Sequence, residues 1–367
     1  EAAWDAHLRG ASPESWIARL QALGFRRSRP GLPDLRTTIR GGVQRAAEEA
    51  MAGRRGAVVA LDPQTGAVLA LVSVPGFRPD RVDEEWKSLR TRPDSPLLNR
   101  AVAGLYPPGS AFKPVVVLAA LEAGAVRRDE VFVCRGRRTV RGQTISDFGG
   151  AVHGQLDLAQ ALAVSCNYVF SGLAMRLSPE GLARRTAAWG LWEPAGLGLA
   201  EARGRFPELP AGDRTALAEV GIGQGSLLVT PFALARFAAL LATGGRMVEP
   251  YLVEGLAVPG GPEVRLAPFP GPRPAAAAPG AVAAVNRLLA EAVARGTGWR
   301  ASVAGVRVAG KTGSAENPHG PAHAWFMGFA PAEAPRVAVA VVVENGGLGG
   351  RVAAPVARRV IEAALEH

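Results

Sequence analysis

Lysine is nearly missing from this chain. Of 42 basic residues only Lys87, Lys113 and Lys311 are lysines, which leaves 39 arginines. Both side chains serve as solvated surface charges, but a guanidinium cannot give up its proton in a protein, whereas a buried or cation-flanked ammonium can. A lysine kept against that bias is a candidate for acid–base chemistry; Lys87, beside Trp86 in a polar stretch, reads as plain surface. Cysteine is scarcer still. Cys134 and Cys166 make neither a CxxC pair nor a metal-ligand spacing. One disulfide is open to them, and two free, mostly buried thiols are the favoured reading. No apolar run approaches the ~18 residues that span a bilayer, the longest resembling Val337 to Val343. There is no signal peptide either, but the chain starts at Glu1 rather than Met, so a missing leader does not argue for a cytoplasmic home.

Concentrated charge is also lacking. The net charge of +10 is spread along the chain, with no block of five or more like charges and no interleaved aromatics. Without a motif that charge is weak evidence for nucleic acid and argues against it as the partner, while an anionic cell wall would suit the same surface. Hydrophobic content of 48% against 20% charged residues excludes disorder, and 367 residues allow one large or two ordinary domains. Glycine and proline are plentiful without a G-X-Y period, so they mark tight turns.

Apolar strands are expected at Ala57–Asp62 and Ala67–Val72, joined as a hairpin across Pro63-Gln64-Thr65-Gly66, and again at Val306–Gly310, Ala324–Phe329 and Val337–Val343. Helical patterns cover Gln44–Gly53, Ser110–Ala123, Leu156–Leu177, Pro179–Gly190, Pro231–Thr243, Ala281–Arg295 and Ala353–Glu366. Thr230-Pro231 supplies an N-cap followed by a proline in the first turn. Pro75–Pro96 reads as a polar, proline-punctuated stretch and Leu256–Gly280 as a surface loop. Strands at both ends with helices between predict one sheet assembled from the termini and interrupted by a helical insertion. Residues 1–40 read as a stub or linker and 41–367 as the main domain, with its sheet from 54–75 and 303–367 and a helical subdomain at about 110–300.

Three short motifs carry chemistry. Ser110-Ala111-Phe112-Lys113 opens the apolar run Val115–Leu121, so that hydroxyl and amine share one helix face at the helix N-terminus. A serine needs a partner to take its proton, and a neutral lysine can do so. Ser165-Cys166-Asn167 offers a hydroxyl for proton relay and a substrate-binding amide. Lys311-Thr312-Gly313-Ser314 comes after a strand-like segment; a cation, a hydroxyl and a residue with no side chain on an edge strand can receive a peptide carboxylate and backbone. Each motif alone has an ordinary structural explanation: a cap with an exposed lysine, a satisfied buried Ser and Asn, a turn after a strand. Together and in this order they are the SxxK, SxN and KTG signature of penicillin-binding proteins and serine β-lactamases, and they take in two of the three lysines.

On these residues the chain resembles the transpeptidase domain of class B penicillin-binding proteins. The likeness extends to Leu98-Asn99-Arg100 leading into Tyr106-Pro107-Pro108-Gly109, to His153-Gly154, to Gly221–Gly225, to Gly296-Thr297-Gly298 and to Ala324-Trp325-Phe326. The resemblance implies an α+β fold, an antiparallel sheet flanked by helices with an all-helical subdomain. It implies Ser110 as acylated nucleophile, Lys113 as its base, Ser165 and Asn167 as proton shuttle and substrate holder, and Lys311, Thr312 and Gly313 as the carboxylate site. The backbone N–H groups of Ser110 and Ser314 would form the oxyanion hole. Peptidoglycan stem peptides ending in D-Ala-D-Ala, β-lactam antibiotics and a membrane glycan polymerase are the implied partners, with no cofactor or metal. The implied location is the periplasmic face of the cell membrane, with an anchor outside this chain. A D,D-carboxypeptidase or a β-lactamase shares the fold and stays open as an alternative.

Gly305 to Thr312 also fits GxxxxGK[ST], but its middle residues are strand formers, and the segment Gly313 to Pro318 cannot start the helix that a phosphate loop requires. His319 and His323 are four apart, yet Pro318, Gly320 and Pro321 deny them a shared helix face, which argues against zinc there. There is no GxSxG.

Overall fold

The computed structural model of the protein describes residues 34–209, 212–257, 263–265 and 274–366. In chain order it runs β1 (Asp34–Thr37), α1 (Gly41–Ala50), β2 (Gly56–Leu61), β3 (Val68–Val74), α2 (Val82–Thr91), a 3-10 turn at Gly109–Phe112 and α3 (Lys113–Glu122). Four short strands come next: β4 (Val131–Cys134), β5 (Arg137–Val140), β6 (Gln143–Ser146) and β7 (Gly154–Asp157). They lead into α4 (Leu158–Ala163), α5 (Asn167–Ala174), α6 (Pro179–Ala188), α7 (Arg214–Gly221) and α8 (Pro231–Ala242). The chain closes with β8 (Val253–Ala257), β9 (Glu263–Arg265), α9 (Pro279–Ala294), β10 (Ala309–Asn317), β11 (Gly320–Ala330), β12 (Val337–Val343) and α10 (Gly349–Leu365).

The main sheet is antiparallel in the order β10-β11-β12-β2-β3, so segments from both ends of the chain meet at its centre. β2 and β12 are buried along their whole length, and their alternation divides the core in two. Ala57, Val59 and Leu61 with Ala338, Ala340 and Val342 face one cluster; Val58 and Ala60 with Val339 and Val341 face the other. A strand period of two makes this division automatic once both faces are covered. α1 and α10 close the second face through Val43, Ala47, Ala353, Ala357, Val360 and Ile361. α8 packs on β12 and β2 from the first face, and α3, apolar from Pro114 to Leu121, joins the same cluster. The β2–β3 hairpin forms as expected, its turn held by Asp62, whose Oδ1 accepts from Gln64 N at 2.8 Å.

Several expectations change. The first 33 residues of the expected stub lie outside the described residues, but Asp34–Thr37 is a strand paired with β8. The polar stretch after Pro75 contains α2. The expected loop 256–280 begins with the end of β8 and includes β9; much of the rest lies outside the described residues. The region expected to be all-helical also carries two ribbons, β4–β7 and β5–β6, whose four-residue strands are too short to show a period. The strand expected at Val306–Gly310 starts at Ala309, because Val303 and Val306 pair locally in a tight turn, and the KTGS motif therefore lies inside β10. With Lys311 paired opposite Met327 in a ladder, the phosphate-loop reading has no loop. Among the described residues no helix is long and apolar enough to cross a membrane.

The first turn of α10 sits directly on the sheet. A Cβ at Gly349 would lie 2.1 Å from Gly313 O and 2.4 Å from Trp325 O, both backbone atoms that cannot swing aside. Gly349→Ala should therefore lower stability by about 1–3 kcal/mol, the usual cost of overpacking, despite alanine's better helix propensity. An unchanged urea midpoint would remove this contact as a constraint on the sheet.

Candidate active site

Ser110 and Lys113 stand one turn apart, on the 3-10 turn and at the first residue of α3. The chain leading to Ser110 is pinned on several sides. Tyr106 exchanges backbone hydrogen bonds with Val229, Gly109 N donates to Gly223 O at 2.8 Å, and Trp325 Nε1 donates to Pro107 O at 3.0 Å. Arg100, 1% exposed, donates to Asp94 O and Ser95 O and pairs with Glu344 at 2.7 Å. Glu344 also accepts from Tyr106 Oη at 2.8 Å. Burial opposes the charge on Glu344, but the hydrogen bonds from Tyr106 and Arg100 outweigh it and hold the carboxyl below its usual range.

The SxN segment lies in a break within the helix expected at 156–177. α4 ends in a Schellman turn: Cys166 N donates to Ala161 O (2.9 Å) and Ser165 N to Leu162 O (3.1 Å), with Ser165 left-handed at φ 60°. Glycine usually marks that position; a serine there hides the stop from a reader of the sequence. The backbone strain, on the order of 1–3 kcal/mol, turns the Ser165 hydroxyl away from the helix path. α5 restarts at Asn167 with no cap from its own N-cap residue, Cys166. Asp147 does that job from another segment, its Oδ1 accepting from Asn167 N and from Tyr168 N (3.3 Å).

Both motif lysines are fully buried. Lys113 Nζ donates to Ser165 O (2.6 Å) and Asn167 Oδ1 (2.7 Å) and lies 3.1 Å from Ser165 Oγ. Lys311 Nζ lies 3.0 Å from the same hydroxyl oxygen and donates to Thr312 O at 2.9 Å. A neutral Lys113 has two N–H bonds, enough for its two carbonyl-type acceptors, and one lone pair left to receive a hydroxyl proton. Loss of hydration drives the Lys113 amine down to about 7, although the nearby Asp147 carboxylate favours its charge. Burial, then the neighbouring Lys113, pushes Lys311 well below the ordinary lysine range.

Thr312 Oγ1 meets Thr297 Oγ1 at 2.6 Å, and Thr297 N donates to Ala163 O, which ties β10 to the end of α4. Gly313 allows the nucleophile turn to approach β10: a Cβ there would lie 2.8 Å from Pro108 O and 2.9 Å from Ala111 N. The Ser314 hydroxyl accepts from Gly349 N (3.1 Å) and so faces α10. The structure thus gathers Lys113, Ser165, Asn167, Lys311 and Thr312 in one hydrogen-bonded group, with half-buried Ser110 on the turn that abuts Gly313. Asp147, Thr297 and Glu344 had no assigned role in the sequence: each acts on a distant segment, and only Thr297 lies in a motif that stood out.

Residues 56–362 match the penicillin binding protein transpeptidase domain family. The chain belongs to that family. It is 38% identical to the peptidoglycan D,D-transpeptidase PbpA of Mycolicibacterium smegmatis, across all of this chain and 79% of that protein. The solved penicillin G acyl-enzyme complex of penicillin-binding protein A from M. tuberculosis superposes with a TM-score of 0.88 at 36% identity, over all of this chain and 88% of that one. A structure described as a peptidoglycan synthase complex coordinating polymerization and crosslinking matches 90% of this chain and 63% of that one, at 34% identity and a TM-score of 0.77.

With three lysines in the chain, a sample carrying carbon-13-labelled lysine shows few side-chain signals. The one removed by Lys113→Arg should titrate with a midpoint close to 7. A midpoint above about 9, near the ordinary lysine range, would contradict the burial argument.

Proposed function

We propose that this chain is a serine-type peptidoglycan D,D-transpeptidase that acylates Ser110. The observation that carries the reading is the convergence of two buried lysines, Lys113 and Lys311, on the single hydroxyl of Ser165. Neutral Lys113 takes the proton of Ser110 as its oxygen attacks the carbonyl of the penultimate D-Ala in a stem peptide. The backbone N–H groups of Ser110 and Ser314 receive the negative charge that develops on that carbonyl oxygen. Lys311, Thr312 and Gly313 hold the terminal carboxylate, whose charge offsets the cost of an ammonium at Lys311. As the C–N bond breaks, the proton passes through Ser165 to the departing D-Ala amine, and an acyl ester on Ser110 remains. An acceptor amine then attacks the ester carbonyl, the amide cross-link forms, and Ser110 recovers its proton. Asn167, fixed by Ser146 O through its Nδ2 (2.8 Å), orients both Lys113 and the substrate. A β-lactam, whose strained amide mimics the D-Ala-D-Ala bond, acylates the same serine.

The same reading places the domain outside the cytoplasm, on the periplasmic face of the membrane where stem peptides are, tethered by an N-terminal segment outside this chain. A membrane glycan polymerase would be its partner, by analogy with the synthase complex it resembles. Residues 41–367 would form the transpeptidase domain. No cofactor enters these steps.

Intact mass after incubation with penicillin should show one stable adduct, absent from Ser110→Ala. Rapid release of hydrolysed drug instead would make the protein a β-lactamase. Lys113→Arg replaces the neutral amine with a permanently charged group that supplies no base, so acylation should slow at least ~100-fold; near-normal rates would remove Lys113 from the mechanism. Since the base must be neutral, the acylation rate should fall as pH drops below about 7 and level off above it. A rate that rises as pH falls would reverse that assignment.

A further inference from the structure

β4 and β7 form a two-stranded ribbon, so each strand keeps a second edge. On that edge of β4 no backbone hydrogen bond is made among the described residues. A cavity of about 410 Å³ lies against it, between β4, β5 and α5. Successive side chains of a strand point to opposite faces, so a cavity touched by Val131, Phe132 and Val133 alike runs along the strand's edge. Val131 and Val133 are 60% and 55% exposed, an apolar pair shown to solvent beside unpaired backbone groups.

The charge around this cavity has one sign. Arg138 on β5, Arg176 just beyond α5 and Arg214 at the start of α7 all border it, and no carboxylate does among the described residues. Two of the guanidinium groups are held in place. Arg138 lies 4.1 Å from the centre of the Tyr168 ring and donates to Tyr168 O. Gly172 leaves it the space, since a Cβ there would lie 2.7 Å from Arg138 Nη2. Arg176 lies 5.6 Å from the centre of the Phe132 ring and pairs with Glu130 at 2.6 Å. Arg214 is exposed and makes no ion pair among the described residues.

We propose that this edge docks a short, extended, acidic segment of a partner protein, which adds a strand to β4. Backbone groups of the guest pair with the open edge, its carboxylates meet the arginines, and apolar side chains between them cover Val131 and Val133. A phosphate polymer would meet the arginines but leave the strand edge and the valines without partners. A second copy of this chain would set one arginine cluster against another, a like-charge contact. Ser110, Lys113 and Ser165 do not line the cavity, so a docked segment leaves them free.

The test titrates the whole protein into a fluorescein-labelled peptide, Glu-Val-Glu-Val-Glu-Val-Glu, and follows fluorescence anisotropy. Binding should saturate, weaken with added salt and slow amide hydrogen exchange at Val131–Cys134. Arg214→Glu should weaken it at least about tenfold, the scale of one charge-assisted hydrogen bond. A carboxylate suits the N-terminus of α7, so this variant should fold, and its acylation by penicillin should match the wild type. The same peptide with every backbone nitrogen methylated keeps its charge but cannot pair, and its affinity should fall by a similar factor. No saturable binding, or undiminished binding with the methylated peptide or with Arg214→Glu, would overturn the site. Inorganic polyphosphate that protects the same amides as strongly as the peptide would make it a plain anion site. Dimers joined through β4 would put a second copy in the place of the partner.

Discussion

Everything in the active site depends on placing two amines where water cannot reach them. Lys113 and Lys311 each lie about 3 Å from one oxygen, so their nitrogens are no more than about 6 Å apart. At an effective dielectric near 20, two positive charges at that separation repel by about 3 kcal/mol. Desolvation of each ammonium adds to this, and the pair cannot keep both protons cheaply. The fold thus generates a neutral amine without a carboxylate to draw the proton off. A substrate carboxylate arriving at Lys311 would be the missing counter-charge, so binding and proton placement are coupled through the Ser165 hydroxyl.

Holding that arrangement requires rigid elements on every side. The sheet supplies one wall through edge strand β10, α3 supplies the second, and the α4–α5 break supplies the third. Each joint is a close backbone approach or a polar contact across long sequence distances: Gly313 against Pro108 and Ala111, Thr312 against Thr297, Glu344 against Arg100 and Tyr106. The buried strands β2 and β12 serve the site indirectly, by fixing where α8 and α10 lie on opposite faces.

What could be read in the sequence was what is local. SxxK, SxN and KTG are each four residues or fewer, and the apolar runs and helical patterns of the long elements gave the layers of the sheet and most helices. What stayed hidden was nonlocal or unconventional. A serine occupies the left-handed position where a glycine would have announced the end of α4. Asp147 caps a helix that starts 20 residues later. The ribbons β4–β7 and β5–β6 are held by neighbours rather than by any pattern of their own. The strand before Lys311 was expected to end at Gly310, yet it runs from Ala309 to Asn317 and carries the motif along the sheet edge.

The near-absence of lysine has a practical side. Of the three ammonium side chains, two are sealed in the active site, and Lys87 on α2 is the one that solvent reaches. Amine-directed chemistry on lysine therefore has a single address on the folded molecule. A dye or surface linker directed at lysine side chains would attach there, with no cysteine introduced.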